Sequence, residues 1–224
     1  MSLEMPIMPL NSVLFPGMPM PLLILEERYR EMIAHCQSEE CPFGVALIRE
    51  GREVEGPAVP YEVGTTAVIV RTTELDEGGL HVLTVGQRRF RLNTILQEEP
   101  YLVGEVDLLE DEQERAAPEE LHQELRELFV EHLRLVLQLL GQPDGEVALP
   151  DTPSRLSYMV AAHLTAPLLV RQRLLEMDSL AQRLFHEKEL LRKESSEYRL
   201  LLAARKKYDE LAGADVEDDI FSLN

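Results

Sequence analysis

The order of apolar and polar residues predicts a strand-forming half of the chain followed by a helix-forming half. Between residues 41 and 109, short apolar and β-branched runs alternate with turn residues, and Asp76 to Gly79 is typical of a hairpin turn. From residue 118 onward, apolar residues recur every three or four positions, which is the spacing of one face of a helix. The charged segment 110–117 separates the two patterns, so we predict a domain boundary there.

Residues 5–33 predict a strand, a turn, a second strand and a helix, in that order. The stretch contains five prolines, and proline favours extended or irregular chain over helix because it fixes φ and lacks an N–H group. Phe15 to Met18 predicts a type II turn, since Pro16 stands at its second position and Gly17 can supply the positive φ of the third. After Leu25 the apolar residues take the spacing of a short amphipathic helix.

The predicted fold class is α+β. A run of short strands with one early helix indicates a closed or nearly closed mixed β-barrel, and we assign it to residues 1–112. A helical domain is predicted for 113–212 and an acidic, flexible tail for 213–224. The last helix, predicted to end near Leu211, is longer than a compact domain needs. Its distal half is predicted either to project toward a partner or to fold back on the bundle.

Composition and charge narrow the classes of partner. The chain has a formal net charge of -19 and a pI near 4.7, and such a field repels nucleic acid and anionic membranes at long range. We therefore predict no membrane partner, and the net charge argues against a nucleic-acid partner unless a local basic patch offsets it. Because no apolar run approaches the length of a membrane span and no secretory signal is recognised, a cytoplasmic location with reduced Cys36 and Cys41 thiols is predicted.

The motifs of common enzyme classes do not occur in the sequence. Lysine is found only at positions 188, 193, 206 and 207, so there is no phosphate-binding G-x-x-x-x-G-K-[ST] loop, and there is no G-x-S-x-G motif either. His35, Cys36 and Cys41 are the one cluster of candidate zinc ligands, but the second half of a metal site is missing. We predict no metal, no cofactor and no catalytic residue.

Two groups of residues remain as candidates for binding. Arg88, Arg89 and Arg91 surround Phe90, and this cluster predicts either a site for carboxylates and phosphates or an ordinary strand face paired with glutamates. A second group predicts either an adaptable apolar surface, since thioethers repack around varied partners, or ordinary core. Its members are Phe15 and the methionines at positions 5, 8, 18 and 20.

Several short motifs resemble the amino-terminal, substrate-binding domain of the Lon (La) ATP-dependent protease family. The motifs are Pro9-Leu10-Asn11, Val13 to Gly17, Pro21-Leu22, Glu27-Arg28-Tyr29 and Gly86 to Arg91. With weaker matches further on, the resemblance covers most of residues 5–200. It implies a barrel of the pseudouridine-synthase-and-archaeosine-transglycosylase (PUA) type followed by a helical bundle, standing alone without the ATPase and peptidase domains.

The resemblance implies a non-catalytic module that binds unfolded or damaged polypeptide segments, with a protease or a chaperone as a further candidate partner. An RNA-binding or small-ligand-binding domain of the same fold is the alternative. The cleft between barrel and helices is the predicted site, because domain junctions commonly form concave surfaces. The oligomeric state stays open. The candidate substrate-binding residues are Phe15, Met18, Met20, Tyr29, Arg88, Arg89, Phe90 and Arg91.

Overall fold

The computed structural model describes residues 2–52, 58–76, 78–110, 118–143, 145 and 148–221, with the backbone alone at 210 and 212–221. The strands of this described part are β1 Ser2–Leu10, β2 Pro19–Ile24, β3 Phe43–Gly51, β4 Ala58–Pro60, β5 Val63–Glu74, β6 Leu80–Gln97 and β7 Leu102–Leu108. Its helices are α1 Glu27–Ser38, α2 Glu119–Leu139, α3 Pro153–His163, α4 Leu168–Glu176 and α5 Leu180–Phe221. The predicted α+β class is confirmed.

Five strands close into a mixed barrel in the order β1, β7, β6, β5 and β3, with β3 returning to β1. The closing pair β1 and β3 is parallel, and the other pairs are antiparallel. Strand β2 pairs with β6 outside this ring, and β4 pairs with β3. Phe90, Ile7 and Val106 belong to one buried apolar cluster contributed by the barrel strands. The closed mixed barrel predicted from the sequence is therefore present.

The turn between the first two strands has the predicted geometry. The Met18 N–H donates to the Phe15 carbonyl at 3.0 Å, and Gly17 has the left-handed φ of 79° that the third position of a type II turn requires. Gly17 and Met18 also bond the backbone of Gly86 on β6, at 2.8 and 3.0 Å. A Cβ atom at Gly86 would collide with the Phe15 carbonyl oxygen. A glycine at position 86 therefore lets the turn lie directly against the barrel.

Strand β6 differs from the prediction. The sequence pattern predicts separate strands at 80–85 and 89–96, but one strand of 18 residues runs through both. The physical reason is its set of partners: β2 pairs with its first half, β7 with its second half, and β5 follows it along both. Because β5 pairs with β6 at both Gly86 and Arg89, residues 86–88 are held as strand between the ends of the other two pairings.

Helices α2 and α5 lie side by side and run in the same direction. Glu124 pairs with Lys188 at 3.1 Å, Glu131 with Arg199 at 2.6 Å, and the Leu139 carbonyl accepts a hydrogen bond from Arg205 at 3.1 Å. At Leu139 α2 ends, whereas α5 is 42 residues long and continues to Phe221. The distal part of α5 thus extends past α2, with Tyr208 and Leu211 exposed.

One correction concerns the predicted end of the last helix. The helix α5 ends ten residues later than the predicted end near Leu211, and the flexibility predicted for 213–224 stays a prediction. The described side chains of α5 contact α2 as far along as Arg205, and the helix continues beyond that point without a break. The division of the chain at 112 and at 212 stays a prediction, and most of the boundary segment 110–117 lies outside the described residues.

Candidate functional site

The barrel and the helical bundle are joined by a buried arginine, Arg89 of β6, whose side chain is 1% exposed. Its Nη1 donates to the carbonyls of Leu175 and Met177 at 2.9 and 3.0 Å and lies 3.4 Å from Asp178 Oδ1. Arg183 of α5 donates to the same Met177 carbonyl at 3.0 Å. The carbonyls at the end of α4 lack helical partners and carry negative partial charge. Both guanidinium groups therefore stabilise the junction at this helix end.

Beside this junction lies a groove of about 590 Å³, which we call the junction groove. One wall is the turn between β1 and β2, and the other is α3. Its lining residues are Pro16, Gly17, Met18, Pro19, Gln87, Pro150, Ser154, Arg155, Tyr158, Met159, Ala162 and His163. Prolines, methionines, a tyrosine and an alanine make most of this surface apolar, while Arg155, His163 and Gln87 add polar groups. Such a surface suits an apolar segment with a polar group beside it.

The structure separates the predicted binding residues. Met18 lines the junction groove. Met20 and Tyr29 line a second groove of about 390 Å³ along β2, which also exposes Leu23 and Leu25. Arg88 and Arg91 are exposed on β6. The eight residues therefore do not form one surface.

Phe15, Arg89 and Phe90 were predicted to contact a substrate. The structure buries all three, because each is at most 1% exposed. Phe90 points into the barrel, where Cβ atoms at Gly44 and Gly64 would collide with its ring. Arg89 points to the opposite face of the strand, as alternation requires, and α4 covers it. Phe15 packs under the junction groove, with its ring centroid 6.5 Å from that of Tyr158. The predicted basic cluster thus loses its central arginine.

Comparisons with known proteins decide the family. The family model of the ATP-dependent protease La (LON) substrate-binding domain matches residues 4–193. The chain belongs to this Lon substrate-binding domain family. Lon protease 2 of Myxococcus xanthus is 32% identical over 191 residues, which is 84% of this chain and 23% of that protein. Lon protease of Anaeromyxobacter dehalogenans is 30% identical over 84% of this chain and again 23% of its own length.

Solved structures of Lon domains have the same fold. A Lon N-terminal domain protein from Xanthomonas campestris superposes with a TM-score of 0.62 at 27% identity, covering 82% of this chain and 96% of the other. The N-terminal domain of a Lon protease from the Mycobacterium avium complex gives a TM-score of 0.61 at 20% identity, covering 84% and 97%. The chain spans about a quarter of the Lon proteases that it matches.

In this Lon substrate-binding domain, the sequence reasoning missed the α3 wall of the groove. The apolar spacing of α3 predicts an inward face that includes Met159 and His163. Met159 is half-buried and His163 exposed, with His163 Nδ1 2.8 Å from the Met159 carbonyl and its ring 5.4 Å from that of Phe129. The sequence signal for this wall was the partly apolar face of the short helix α3. That face becomes a groove wall only because the turn between β1 and β2 lies opposite it.

Between α2 and α5, the Lon domain contains a buried serine, histidine and glutamate. His132 Nδ1 lies 3.3 Å from Ser195 Oγ, and His132 Nε2 lies 3.9 Å from Glu194 Oε2. All three are buried, and burial lowers the pKa of His132 to about 4. A substrate cannot reach such a serine, so the three side chains serve the helix interface. Elsewhere in the described ranges, no group of three His, Cys, Asp or Glu is arranged to hold a metal ion.

Glu187 is a second buried titratable side chain in the helical bundle. Ser157 Oγ donates to Glu187 Oε1 at 2.8 Å and accepts from Arg183 Nε at 2.7 Å. Burial raises the pKa of Glu187 to about 8, against the opposing effects of Arg183 and Ser157. The folded protein therefore holds this carboxyl protonated at neutral pH, whereas in the unfolded chain it ionises near 4.5.

The raised pKa of Glu187 predicts how the free energy of unfolding depends on pH. Because the folded state binds the Glu187 proton more tightly, the free energy of unfolding should fall as pH rises through the window between 4.5 and about 8. The Glu187 contribution should approach about 1.4 kcal/mol per pH unit. Urea unfolding between pH 6.5 and 8 measures it, because the lowered pKa of His132 acts mainly below that range. Glu187→Gln should flatten the profile relative to wild type.

The control for this prediction is Glu189→Gln on the same helix, whose side chain is 52% exposed. It should keep the wild-type slope, because an exposed carboxyl is solvated in both states. A Glu187→Gln profile parallel to that of the wild type would show that Glu187 is ionised in the folded protein.

None of the helices in the described part of the chain has the length and apolar composition that a membrane span requires.

Proposed function

We propose that this chain is a non-catalytic recognition module that binds unfolded or damaged polypeptide segments in the junction groove. The observation that carries the proposal is an apolar groove of about 590 Å³ in a chain that belongs to the Lon substrate-binding domain family. The family match covers the recognition domain alone, which supports a role in binding and gives no support to a reaction.

The side chains of the groove suit clients of varied sequence. Met18 lies on the turn wall and Met159 on the α3 wall, and both are half-buried. Methionine is unbranched and polarisable, so it can repack around differently shaped apolar groups. Tyr158 supports them from below through its contact with the buried ring of Phe15. A buried aromatic pair below the groove and one methionine on each wall favour recognition of apolar character over recognition of one particular sequence.

The free edge of β2 favours this mode over the addition of a peptide strand. In the described part of the chain β2 pairs only with β6, so its other edge is open. Pro19 and Pro21 occupy that short strand and have no backbone N–H to offer a peptide. Recognition through side chains in the groove is the mode that remains available.

Charge sets a limit on the clients. A net charge of -19 repels strongly acidic segments, and the exposed Arg155 is the one basic side chain among the lining residues of the junction groove other than His163. We therefore expect apolar, neutral or weakly basic segments to bind, and we expect binding to change little with salt because burial of apolar surface supplies most of the affinity.

Fluorescence anisotropy with labelled unfolded peptides tests the proposal. An apolar series and an acidic series are titrated with the protein at low and high salt. The apolar series should bind saturably at both salt concentrations. Met159→Glu places a charge in the groove and should weaken binding at least about tenfold, which is about 1.4 kcal/mol.

The matched control is Val70→Glu, which adds the same charge on β5 at a side chain that is 59% exposed and does not line the junction groove. It should bind like the wild type. Equal weakening by both variants would indicate a general charge effect, and absence of saturable binding would remove the proposal. Binding of the acidic series alone, lost at high salt, would move the site to Arg88 and Arg91.

The finer expectations rest on the family resemblance. A protease or a chaperone that receives the bound client, a role in protein quality control, a PUA-type relationship of the barrel and a cytoplasmic location stay predictions. The choice of a groove formed by the turn and α3 is our own proposal for this chain.

A further inference from the structure

The carboxyl end of α1 has an unusual backbone that brings two cysteines together. Helix α1 ends at Ser38, and Glu40, two residues later, has a φ of 51°. Left-handed φ values are uncommon for residues other than glycine. This turn folds the chain back so that the Cys41 N–H donates to the Cys36 carbonyl at 3.0 Å.

Helical geometry alone would keep these cysteines apart. Residues five positions apart on a helix point about 140° away from each other, since each residue turns the helix by about 100°. The left-handed turn at Glu40 replaces that arrangement and brings the Cys41 side chain close enough to act on the Cys36 thiol. Because one backbone hydrogen bond links the two residues, their Cα atoms lie within about 7 Å, close to the upper limit for a disulfide.

The two thiols differ in access. Cys36 is 1% exposed and belongs to the apolar cluster beneath α1, whereas Cys41 is half-buried at the edge of the same cluster. Both cysteines are free. Burial, with a further contribution from Cys41, raises the pKa of the Cys36 thiol to about 12. Cys36 therefore stays protonated, and Cys41 is the thiol that a small reagent in solution meets first.

We propose that Cys36 and Cys41 are an oxidisable dithiol site that hydrogen peroxide converts into an intramolecular disulfide. The Cys41 thiolate attacks one peroxide oxygen, which gives a sulfenic acid at Cys41 and releases hydroxide. The Cys36 sulfur then attacks the Cys41 sulfur, so that the S–S bond forms, the S–O bond breaks, and the proton of Cys36 leaves with the hydroxyl as water. Overall the two thiols lose two electrons and peroxide is reduced to water.

The disulfide would tie the end of α1 to the segment that enters β3. Cys41 is two residues before Phe43, the first residue of β3, which is fully buried. The bond would hold closed the left-handed turn at Glu40, which at present relies on backbone hydrogen bonds. The oxidised protein should consequently have a higher midpoint of thermal unfolding than the reduced protein, because the cross-link restricts the unfolded chain.

The test treats the reduced chain of 224 residues with a small molar excess of hydrogen peroxide and then alkylates the remaining thiols after unfolding. Intact mass spectrometry should show the loss of two hydrogens and no alkylation, and peptide mapping should show a bond between Cys36 and Cys41. Reductant should restore both thiols. A chain in which Cys41 is oxidised to sulfinic acid or bonded to a second copy, with Cys36 still alkylated, would overturn the proposal.

Two variants test whether the disulfide needs both cysteines and which thiol reacts with peroxide first. In Cys36→Ala the resolving thiol is missing, so Cys41 should progress to sulfinic acid or to an intermolecular disulfide. In Cys41→Ser the buried Cys36 should resist peroxide and should be alkylated only after unfolding. If Cys36 in this variant is oxidised as fast as in the wild type, Cys41 is not the first site of attack and the proposed sequence of steps fails. The wild-type mass spectrum keeps the test decisive if either variant folds poorly.

Discussion

Gly64→Ala is expected to lower the free energy of unfolding by about 3 kcal/mol or more. A Cβ atom at position 64 would lie 2.6 Å from Cζ of Phe90 and closer still to the carbonyl oxygen of Val45. Neither neighbour can easily move: Val45 lies in β3 between β1 and β5, and the Phe90 ring is fully buried. The added methyl group must therefore force strands of the closed barrel apart.

Urea unfolding of purified protein measures this effect, and Gly145→Ala is the control. A Cβ atom at Gly145 would meet nothing within 4 Å, so that variant should unfold within about 0.5 kcal/mol of the wild type. Equal stabilities of the two variants would mean that β3 and β5 can separate more easily than their close contact indicates.

Arg89→Ala is the second substitution for which a large loss is expected, about 3 kcal/mol of unfolding free energy. The carbonyls of Leu175 and Met177 accept hydrogen bonds from this guanidinium at 2.9 and 3.0 Å. Removal leaves the Leu175 carbonyl without this donor, and Arg183 remains as the donor for Met177. Truncation also opens a cavity, because the side chain is one of the largest that are fully buried.

The exposed Arg91, two positions along the same strand, is the matched control. Arg91→Ala should change the free energy of unfolding by less than about 0.5 kcal/mol, whereas Arg89→Lys should lie between wild type and Arg89→Ala, because an ammonium group cannot reproduce the fork of a guanidinium. If Arg89→Ala and Arg91→Ala unfold alike, the junction does not depend on this side chain.

Loss of Arg89 should also weaken peptide binding in the junction groove. The groove has one wall on the barrel and one on the bundle, and Arg89 fastens these two parts together. At temperatures where Arg89→Ala remains folded, we expect weaker binding of apolar peptides than in Arg91→Ala. Peptide binding is thus a second readout for the same pair of variants.

Local sequence chemistry was sufficient for much of the fold. Pro16 and Gly17 predict the type II turn that is observed, and the change of apolar spacing after Leu25 predicts α1. The Lon-like motifs around this turn indicate the family that the comparisons confirm. In each case the signal lies within a few neighbouring residues, where fixed φ values and helical spacing act directly.

The candidate site was less accessible from the sequence. Arg88, Arg89, Phe90 and Arg91 form one short basic motif, yet two of its members are buried on opposite faces of β6 and two are exposed. Strand alternation predicts opposite faces but does not say which of them another element covers. Met159 likewise belongs to an apolar face whose partner wall is a turn more than 100 residues earlier in the chain.

Prolines, glycines and apolar spacing are enough to specify the local elements and the α+β class, because they act on the backbone where they stand. The family is recognised from the resemblance of short motifs, which the family match confirms. Tertiary structure alone decided that 80–85 and 89–96 join as one strand, that Arg89 supports the junction, and that Met18 and Met159 face one groove. These outcomes depend on which surfaces meet across long sequence separations. Whether a residue is buried, and which group pairs with a buried charge, depend on this long-range packing. The short motif that contains the residue does not specify them.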